Sequence, residues 1–213
     1  MEKAFIFDMD GVVINSEPMH ERIELDVATK YFSINIDQKR MKKYVGMRSM
    51  DVWESIIKED GLDLRAEQIV EVADKEKVKY IEQNELQPID GIRELLNKLK
   101  DLNYRIALAS SSPKEFIEAV LNKFEILSFF DTIVNGDEVE HGKPAPDIFL
   151  EAARRLNVLP KNCTILEDSN NGVDAGNSAG MRTIAYVNPD SGNLDLSKAN
   201  QIVKSVRDVL SFV

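Results

Sequence analysis

The sequence predicts an α/β protein with a Rossmann-like parallel sheet core and an inserted all-helical cap domain. Three observations lead to this prediction. Short apolar segments typical of buried strands recur along the chain, and helical patterns alternate with them from about residue 90 onward. The third observation is that residues 17–84 contain helical patterns and no convincing strand. Alternating strands and helices are typical of a parallel sheet that helices cover on both faces.

The predicted strands are short segments rich in β-branched or aromatic residues. The first, KAFIF, spans residues 3–7. It is followed along the chain by RIALAS (105–110), DTIVN (131–135), TILE (164–167), TIAYV (183–187) and QIV (201–203). Because helical patterns separate consecutive strands after residue 90, we expect parallel pairing.

The predicted helices are segments in which apolar residues recur at helical spacing. After residue 90, three such faces consist of Ile92, Leu95, Leu96, Leu99 and Leu102; of Phe116, Ile117, Val120, Leu121 and Phe124; and of Ile148, Phe149, Ala152 and Leu156. Within residues 17–84, the faces consist of Met19, Ile23, Val27 and Tyr31; of Met50, Trp53, Ile56 and Ile57; and of a weaker stripe in residues 66–82.

The helical insert is bounded by two natural hinge points. Residues 16–18 contain a proline and precede the insert, and residues 86–90, LQPID, follow it. We therefore predict that residues 1–16 and 85–213 form the α/β catalytic core and that residues 17–84 form the helical cap.

Composition and charge exclude several classes of partner. The chain has 213 residues and a formal net charge of −10, which argues against nucleic-acid binding because that needs a basic face. Its apolar runs are shorter than the roughly 20 residues that a membrane helix needs, so we expect no membrane partner. A single cysteine, Cys163, fits a reducing compartment, and we expect a cytoplasmic protein. The oligomeric state is left open by these features.

Acidic residues follow two of the predicted strands. Asp8 and Asp10 come after the first strand, and Glu167 and Asp168 close the strand that contains TILE. Ligands bind at the carboxyl ends of the strands in an open parallel sheet. If these two strands are neighbours, the carboxylates converge and repel one another, so that one must take up a proton or a cation must bind. Oxygen ligands with few histidines nearby favour Mg²⁺ over zinc.

Two further polar features are predicted to lie at the same edge of the sheet. Ser110 ends RIALAS and leads through Ser111 into a predicted helix, whose N-terminus favours anions. Lys143 lies in HGKPAPD just before another helix, and a lysine there can neutralise phosphate oxygens. Taken singly, each of these residues is more commonly a turn, a helix cap or a solvated side chain. Their joint occurrence at the ends of different strands favours a functional site.

Four segments together resemble a known family. FDMDG, the strand-ending Ser110, GKPAPDIF and LEDSNNG are similar, in this order, to the four motifs of the haloacid dehalogenase superfamily of hydrolases. The resemblance spans residues 5 to about 180. It extends to the subgroup of sugar-phosphate phosphatases and β-phosphoglucomutase, in which a helical cap follows the first motif. The four motifs together are highly specific for the superfamily and poorly specific for the substrate.

The resemblance implies roles for the residues that match the motifs. Asp8 would attack phosphorus and form an aspartyl-phosphate, and Asp10 would protonate the leaving oxygen and then deprotonate water. The implied Mg²⁺ site comprises Asp8, the backbone carbonyl of Asp10, Asp168, and Glu167 as a metal-site partner or an acid behind the ligands. The implied phosphate-binding residues are Ser110, Ser111 and Lys143.

Three cap residues are candidates for substrate contacts: His20, Arg48 and Lys79. A histidine similarly placed to His20 and a lysine similar to Lys79 occur in mutase-type relatives, whereas the position of Arg48 resembles sugar-phosphate phosphatases. Asn15, where close relatives usually have aspartate, also points away from the mutases. Each of the three cap residues has the alternative of a simply solvated side chain.

The resulting hypothesis is a Mg²⁺-dependent phosphatase that hydrolyses a small phosphorylated metabolite, a sugar phosphate, through an aspartyl-phosphate. The first alternative is a β-phosphoglucomutase, which returns the phosphoryl group to a sugar instead of to water. The second is a catalytically silent phospho-binding regulatory module, which the presence of every expected catalytic residue type disfavours.

Overall fold

The computed structural model describes residues 2–41, 49–192 and 194–213. The chain forms two compact units. One comprises Met1–Ser16 with Glu85–Val213, and the other comprises Glu17–Asn84.

The helical unit contains α1 (Glu17–Phe32), α2 (Gln38–Met41), α3 (Ser49–Asp60) and α4 (Ala66–Gln83). Helices α1 and α3 both pack against α4. The interior side chains repeat at helical spacing and include Met19, Ile23, Val27, Val52, Trp53, Ile56, Ile69, Ala73 and Ile81. Tyr31 was expected on the apolar face of α1 but is 47% exposed, because it lies in the last turn and its hydroxyl donates to Glu76.

The α/β unit is built on a six-stranded sheet. Its strands are β1 (Ala4–Phe7), β2 (Arg105–Ser110), β3 (Thr132–Asn135), β4 (Cys163–Glu167), β5 (Arg182–Tyr186) and β6 (Gln201–Val203). The strand order is β3-β2-β1-β4-β5-β6, and every neighbouring pair is parallel. The predicted strands are confirmed, with bounds that shift by no more than one residue.

In the described part of the α/β unit, the α-helices beside the sheet are α5 (Ile92–Asp101), α6 (Lys114–Lys123), α7 (Asp147–Leu156) and α8 (Asn170–Ser178). The predicted apolar faces of α5, α6 and α7 are buried, and α7 packs against β1, β2 and β3. Leu102 is the exception. It was expected on the buried face of α5, but it follows the last residue of that helix and is 42% exposed.

The register of the central strands positions the site. Phe7, the last residue of β1, pairs with Leu108 of β2 on one side and with Leu166 of β4 on the other. The next backbone amide, that of Asp8, donates to the carbonyl of Leu166 at 3.0 Å. Asp8 and Glu167 therefore emerge side by side at the carboxyl edge of the sheet, where parallel sheets bind ligands.

Within the described ranges, every helix falls short of the length and apolar character that crossing a membrane requires.

Candidate active site

The chain turns sharply after β1. The carbonyl of Met9 accepts hydrogen bonds from the amides of Val12, Val13 and Ile14 at 2.8–3.2 Å, which closes the turn on itself. Gly11 has a φ of 78°, in the left-handed region that glycine adopts without strain. A side chain at Gly11 would also collide with the carboxylate of Asp168. The glycine therefore allows both the turn and the close approach of Asp168.

Lys143 lies between two carboxylates at the ends of β1 and β4. Its Nζ is 2.5 Å from Oδ1 of Asp8 and 2.9 Å from Oε1 of Glu167, and it donates to the carbonyl of Ala109 at 3.3 Å. The lysine side chain is only 7% exposed, and its ammonium lies 4.9 Å from the centre of the Phe149 ring. The three charged groups thus form a buried, hydrogen-bonded cluster.

The second oxygen of Glu167 is held by the start of α8. Oε2 accepts hydrogen bonds from the amide of Ser169 at 2.6 Å and from its hydroxyl at 3.0 Å. Ser169 also caps α8, since its Oγ accepts from the amide of Gly172 at 3.0 Å. A side chain at Gly172 would overlap the carboxylate of Glu167. Both oxygens of Glu167 are therefore engaged by neighbouring groups of the protein.

Asp10 is surrounded by serine hydroxyls. Its Oδ1 accepts from Ser16 at 2.5 Å, and its Oδ2 accepts from Ser112 at 2.7 Å and from Ser110 at 3.3 Å. Ser16 and Ser110 are fully buried. Ser110 was predicted to lie here. Ser16 and Ser112 were not singled out, although their positions beside the predicted hinge and two residues after Ser110 were available signals.

Asp168 is buried and contacts a residue from the loop after β5. The hydroxyl of Ser191 donates to its Oδ2 at 2.5 Å. The sequence carried no signal for Ser191, which lies 23 residues further along the chain in a segment without a recognisable motif. Ser111 differs from Ser110: it is exposed, and its backbone carbonyl packs against Gly136.

The charges of this cluster are not balanced. Burial raises the pKa of Asp8 well above its usual range, and the nearby carboxylates of Glu167, Asp168 and Asp10 raise it further, while Lys143 opposes them. Burial lowers the pKa of Lys143, but Asp8 and Glu167 outweigh it, so the pKa is raised and the amine stays protonated. Lys143 thus balances the charge of Asp8 and Glu167 only in part, since Asp10 and Asp168 add two further carboxylates near Asp8.

The donor chemistry at this edge consists of oxygens. Among the described residues, no group of three or more histidine, cysteine, aspartate and glutamate side chains would hold a metal ion by itself. The surplus of carboxylates beside Asp8 nevertheless favours a hard cation that needs few protein ligands. Mg²⁺ has this property, because it is usually bound by one or two carboxylates and keeps several waters.

The cap candidates have different surroundings. His20 is partly buried in α1. Lys79 is exposed and lies 3.4 Å from Glu76, three residues earlier on α4. Arg48 lies outside the described residues.

Sequence reasoning missed a buried lysine two residues before Lys79. The Nζ of Lys77 is 2.8 Å from Oε1 of Glu24 and 3.2 Å from Asp74. Glu24 also accepts from the hydroxyl of Ser49 at 2.5 Å and from the indole of Trp53 at 2.6 Å. This network joins α1, α3 and α4.

Comparison with known proteins places these features in a wider group. A family model described as haloacid dehalogenase-like hydrolase matches residues 2–180. Hexitol phosphatase B of Escherichia coli is 34% identical over 197 residues, which cover 89% of this chain and 86% of that protein. A phosphorylated carbohydrates phosphatase of Thermotoga maritima is 31% identical, and the match covers 98% of this chain and all of that protein.

A crystal structure of a β-phosphoglucomutase from Clostridium difficile is also similar to this chain. It superposes with a TM-score of 0.81 at 33% identity, and the match covers 98% of this chain and 93% of that one. Phosphatases and a phosphomutase are therefore both among the similar proteins.

Proposed function

The chain belongs to the haloacid dehalogenase-like hydrolase family, and we propose that it is a Mg²⁺-dependent phosphatase that hydrolyses a sugar phosphate or a similar small phosphorylated metabolite. One observation carries the proposal. Asp8 lies against Lys143 at the carboxyl edge of the sheet, among three further carboxylates. This arrangement combines a nucleophilic carboxylate, the ammonium group of Lys143 and an excess of negative charge that attracts a metal ion.

Asp8 is the proposed nucleophile. Its carboxylate oxygen forms a bond to phosphorus, and the bond between phosphorus and the leaving oxygen breaks, which yields an aspartyl-phosphate. Asp8 must be ionised to attack, yet burial and the neighbouring carboxylates raise its pKa. Lys143, 2.5 Å away, stabilises the ionised form. A bound divalent cation would act in the same direction.

Asp10 is the proposed general acid and base. In the first step it gives a proton to the leaving oxygen, and in the second it takes a proton from the water that attacks the aspartyl-phosphate. Inorganic phosphate then leaves and Asp8 is regenerated. The hydroxyls of Ser16 and Ser112 hold the two oxygens of Asp10 at 2.5 and 2.7 Å, so its carboxyl group is oriented before substrate binds.

Mg²⁺ would be held by Asp8, Asp168 and the backbone carbonyl of Asp10. When bound, it would neutralise charge on the phosphoryl oxygens and on the attacking carboxylate. Glu167 is a poorer candidate for a ligand than the sequence suggests, because Lys143 and Ser169 engage both of its oxygens. We assign to Glu167 the task of holding Lys143 in place.

Lys143 and Ser110 are the proposed partners of the transferring phosphoryl group. Phosphoryl transfer depends on alignment and charge compensation more than on elaborate covalent chemistry. The ammonium group of Lys143 lies 2.5 Å from Asp8, and the buried hydroxyl of Ser110 lies 3.3 Å from Asp10. Ser111 is a weaker candidate, since its side chain is exposed.

The names of two relatives support the proposed substrate class. Hexitol phosphatase B and the phosphorylated carbohydrates phosphatase support a phosphorylated sugar or sugar alcohol. The similarity to a β-phosphoglucomutase, at 33% identity, makes transfer to a sugar the second candidate function. Among the features of the chain itself, Asn15 favours hydrolysis.

The test is to supply the purified protein with Mg²⁺ and a panel of hexose and hexitol phosphates and to measure inorganic phosphate. A parallel assay supplies β-glucose 1-phosphate with a bisphosphate primer and follows glucose 6-phosphate. We expect phosphate release that EDTA abolishes and added Mg²⁺ restores. Rapid formation of glucose 6-phosphate with little free phosphate would identify a mutase, and full activity in excess chelator would exclude the metal.

A further inference from the structure

The loop after β5, residues 187–191, is attached to the turn after β1. Here it is called the β5 loop. The side chain of Asn188 is buried, and both of its polar groups are used. Its Nδ2 donates to the carbonyl of Gly11 at 3.1 Å, and its Oδ1 accepts from the amide of Asp190 at 3.0 Å. The loop is thereby folded on itself and bound to the segment that carries Asp10.

A second contact ties the same loop to the same turn. The Nδ2 of Asn15 donates to Oδ2 of Asp190 at 2.5 Å, and the Oδ1 of Asn15 lies 3.5 Å from Nδ2 of Asn188. An aspartate at position 15 would place a carboxylate against Asp190 and lose this donor. The amide side chain of Asn15 is therefore matched to the polar groups of the β5 loop.

The end of the β5 loop reaches Asp168. The hydroxyl of Ser191 donates to Oδ2 of Asp168 at 2.5 Å. The same oxygen lies so close to Gly11 that a side chain there would overlap it. The carboxylate of Asp168 is thus confined between the backbone of Gly11 and the hydroxyl of Ser191. Asn188 and Asn15 connect the β5 loop, which carries Ser191, to the turn that contains Gly11.

We propose that Ser191 is a positioning residue that orients the carboxylate of Asp168 for a divalent cation, and that the β5 loop exists to hold Ser191 there. The inference rests on the proposed function, in which Asp168 is a metal ligand. A carboxylate that is already oriented loses less side-chain freedom when it binds an ion. Partners that orient metal ligands typically change metal affinity by 10–100-fold when they are removed.

Ser191 suits a test because its side chain contributes little to the interior of the protein. It is partly exposed, so replacing it should leave the fold intact while the effect on the metal remains. The matched control is Ser197→Ala, which removes an exposed hydroxyl between β5 and β6. That hydroxyl hydrogen-bonds to Asp195 instead of to Asp168. A second pair, Ser191→Thr and Ser191→Val, has nearly identical shape and differs in the hydroxyl.

The experiment measures Mn²⁺ binding to the substrate-free protein by electron paramagnetic resonance, which counts the free aquo ion. Mn²⁺ is used as the probe because it takes the same oxygen ligands as Mg²⁺. We expect Ser191→Ala and Ser191→Val to weaken Mn²⁺ binding at least about tenfold. Ser191→Thr should stay within about threefold of the wild type, and Ser197→Ala should equal it. Circular dichroism and melting temperatures establish that each variant is folded.

The outcomes separate this inference from the proposed function. Equal affinities of wild type and Ser191→Ala, or of Ser191→Thr and Ser191→Val, would overturn the role of Ser191 while leaving the phosphatase proposal standing. If the wild type binds no Mn²⁺ and needs no divalent cation for phosphate release, the metal assignment itself fails. The Thr–Val pair decides the question even if Ser191→Ala does not fold.

Discussion

Each unit of this protein buries a lysine between two carboxylates, and the two clusters differ in their electrostatic balance. In the α/β unit, Lys143 lies between Asp8 and Glu167, at 2.5 and 2.9 Å. In the helical unit, Lys77 lies between Glu24 and Asp74, at 2.8 and 3.2 Å. The lysine side chains are 7% and 8% exposed, so burial alone does not distinguish them.

The carboxyl groups closest to these two lysines have pKa values shifted in opposite directions. Burial raises the pKa of Glu24, but Lys77 and hydrogen bonds from Ser49 and Trp53 outweigh it, so the pKa lies below its ordinary value. Burial raises the pKa of Asp8 too, and there the pKa ends well above its ordinary value because other carboxylates add to the effect. Nearby donors thus stabilise the ionised form of Glu24, whereas additional acids destabilise that of Asp8.

The comparison shows that a buried ion pair does not by itself indicate function. The carboxylate of Glu24 accepts hydrogen bonds from two neutral donors of α3, Ser49 and Trp53, which suits a structural role. The Asp8 cluster keeps unbalanced negative charge at the carboxyl edge of a parallel sheet, where ligands bind. Perturbed carboxylates in such a position are typical of catalytic sites.

The largest expected effect is at the nucleophile. Asp8→Asn keeps the shape of the side chain and removes the attacking charge, so we expect turnover to fall at least about a thousandfold, on the order of 4 kcal/mol of barrier. Phosphate release under saturating substrate measures it. The matched control is Asp195→Asn at an exposed position, which should keep wild-type turnover. Turnover of Asp8→Asn within tenfold of the wild type would rule out the aspartyl-phosphate.

The helical cluster should respond in stability instead. Lys77→Met leaves Glu24 buried without its cation, and we expect the helical unit to lose about 3 kcal/mol of stability. Urea denaturation followed by the fluorescence of Trp53, the single tryptophan, reports on this unit. Lys75→Met removes an exposed lysine from the same helix and should change stability by less than about 0.5 kcal/mol. Equal effects of both variants would contradict the structural role of Lys77.

A smaller effect on activity should distinguish proton transfer by Asp10 from a role in placing the substrate. In Asp10→Asn the leaving oxygen receives no proton, so an alkyl phosphate should lose at least about 100-fold more activity than an aryl phosphate, whose leaving group needs less protonation. The ratio of the two kcat/KM values, in variant and wild type, measures this directly. Equal losses for both substrates would indicate that Asp10 acts by placement.

The smallest expected effect is a pH dependence in the helical unit. The folded-state pKa of Glu24 lies below its ordinary value of 4.5, so its stabilising contribution is present above pH 4.5 and is lost as the pH falls through the folded-state pKa. Lys77, Asp74 and His20 share this cluster, so the comparison needs Glu24→Gln as a reference. We expect the wild type to melt at a higher temperature than Glu24→Gln at pH 6. The difference should shrink below pH 4.5, and a constant difference would contradict the assignment.

Local patterns in the sequence were sufficient to predict the sheet, the helical insert and the residues at the carboxyl ends of the strands. Strands and helices can be recognised from the spacing of apolar residues over short stretches of sequence. In a parallel sheet the carboxyl ends of all strands lie at one edge, so the location of strand-ending residues does not depend on the rest of the chain. Asp8 follows the last residue of β1, and Ser110 and Glu167 are the last residues of β2 and β4. The exceptions, Tyr31 and Leu102, lie at or just beyond helix ends, where periodicity loses its meaning.

Only the tertiary structure decided which polar groups those carboxylates meet. Ser112 reaches Asp10 across 102 residues of sequence, and Ser191 reaches Asp168 from a loop that carries no motif. In the helical unit, local spacing places Lys77 on the buried face of α4, with Ala73 and Ile81. Its partner Glu24 lies on another helix, so the ion pair itself could be found only in the folded structure. Hydrogen bonds and ion pairs are short-ranged and directional, so their partners are chosen by packing, and packing is a property of the whole fold.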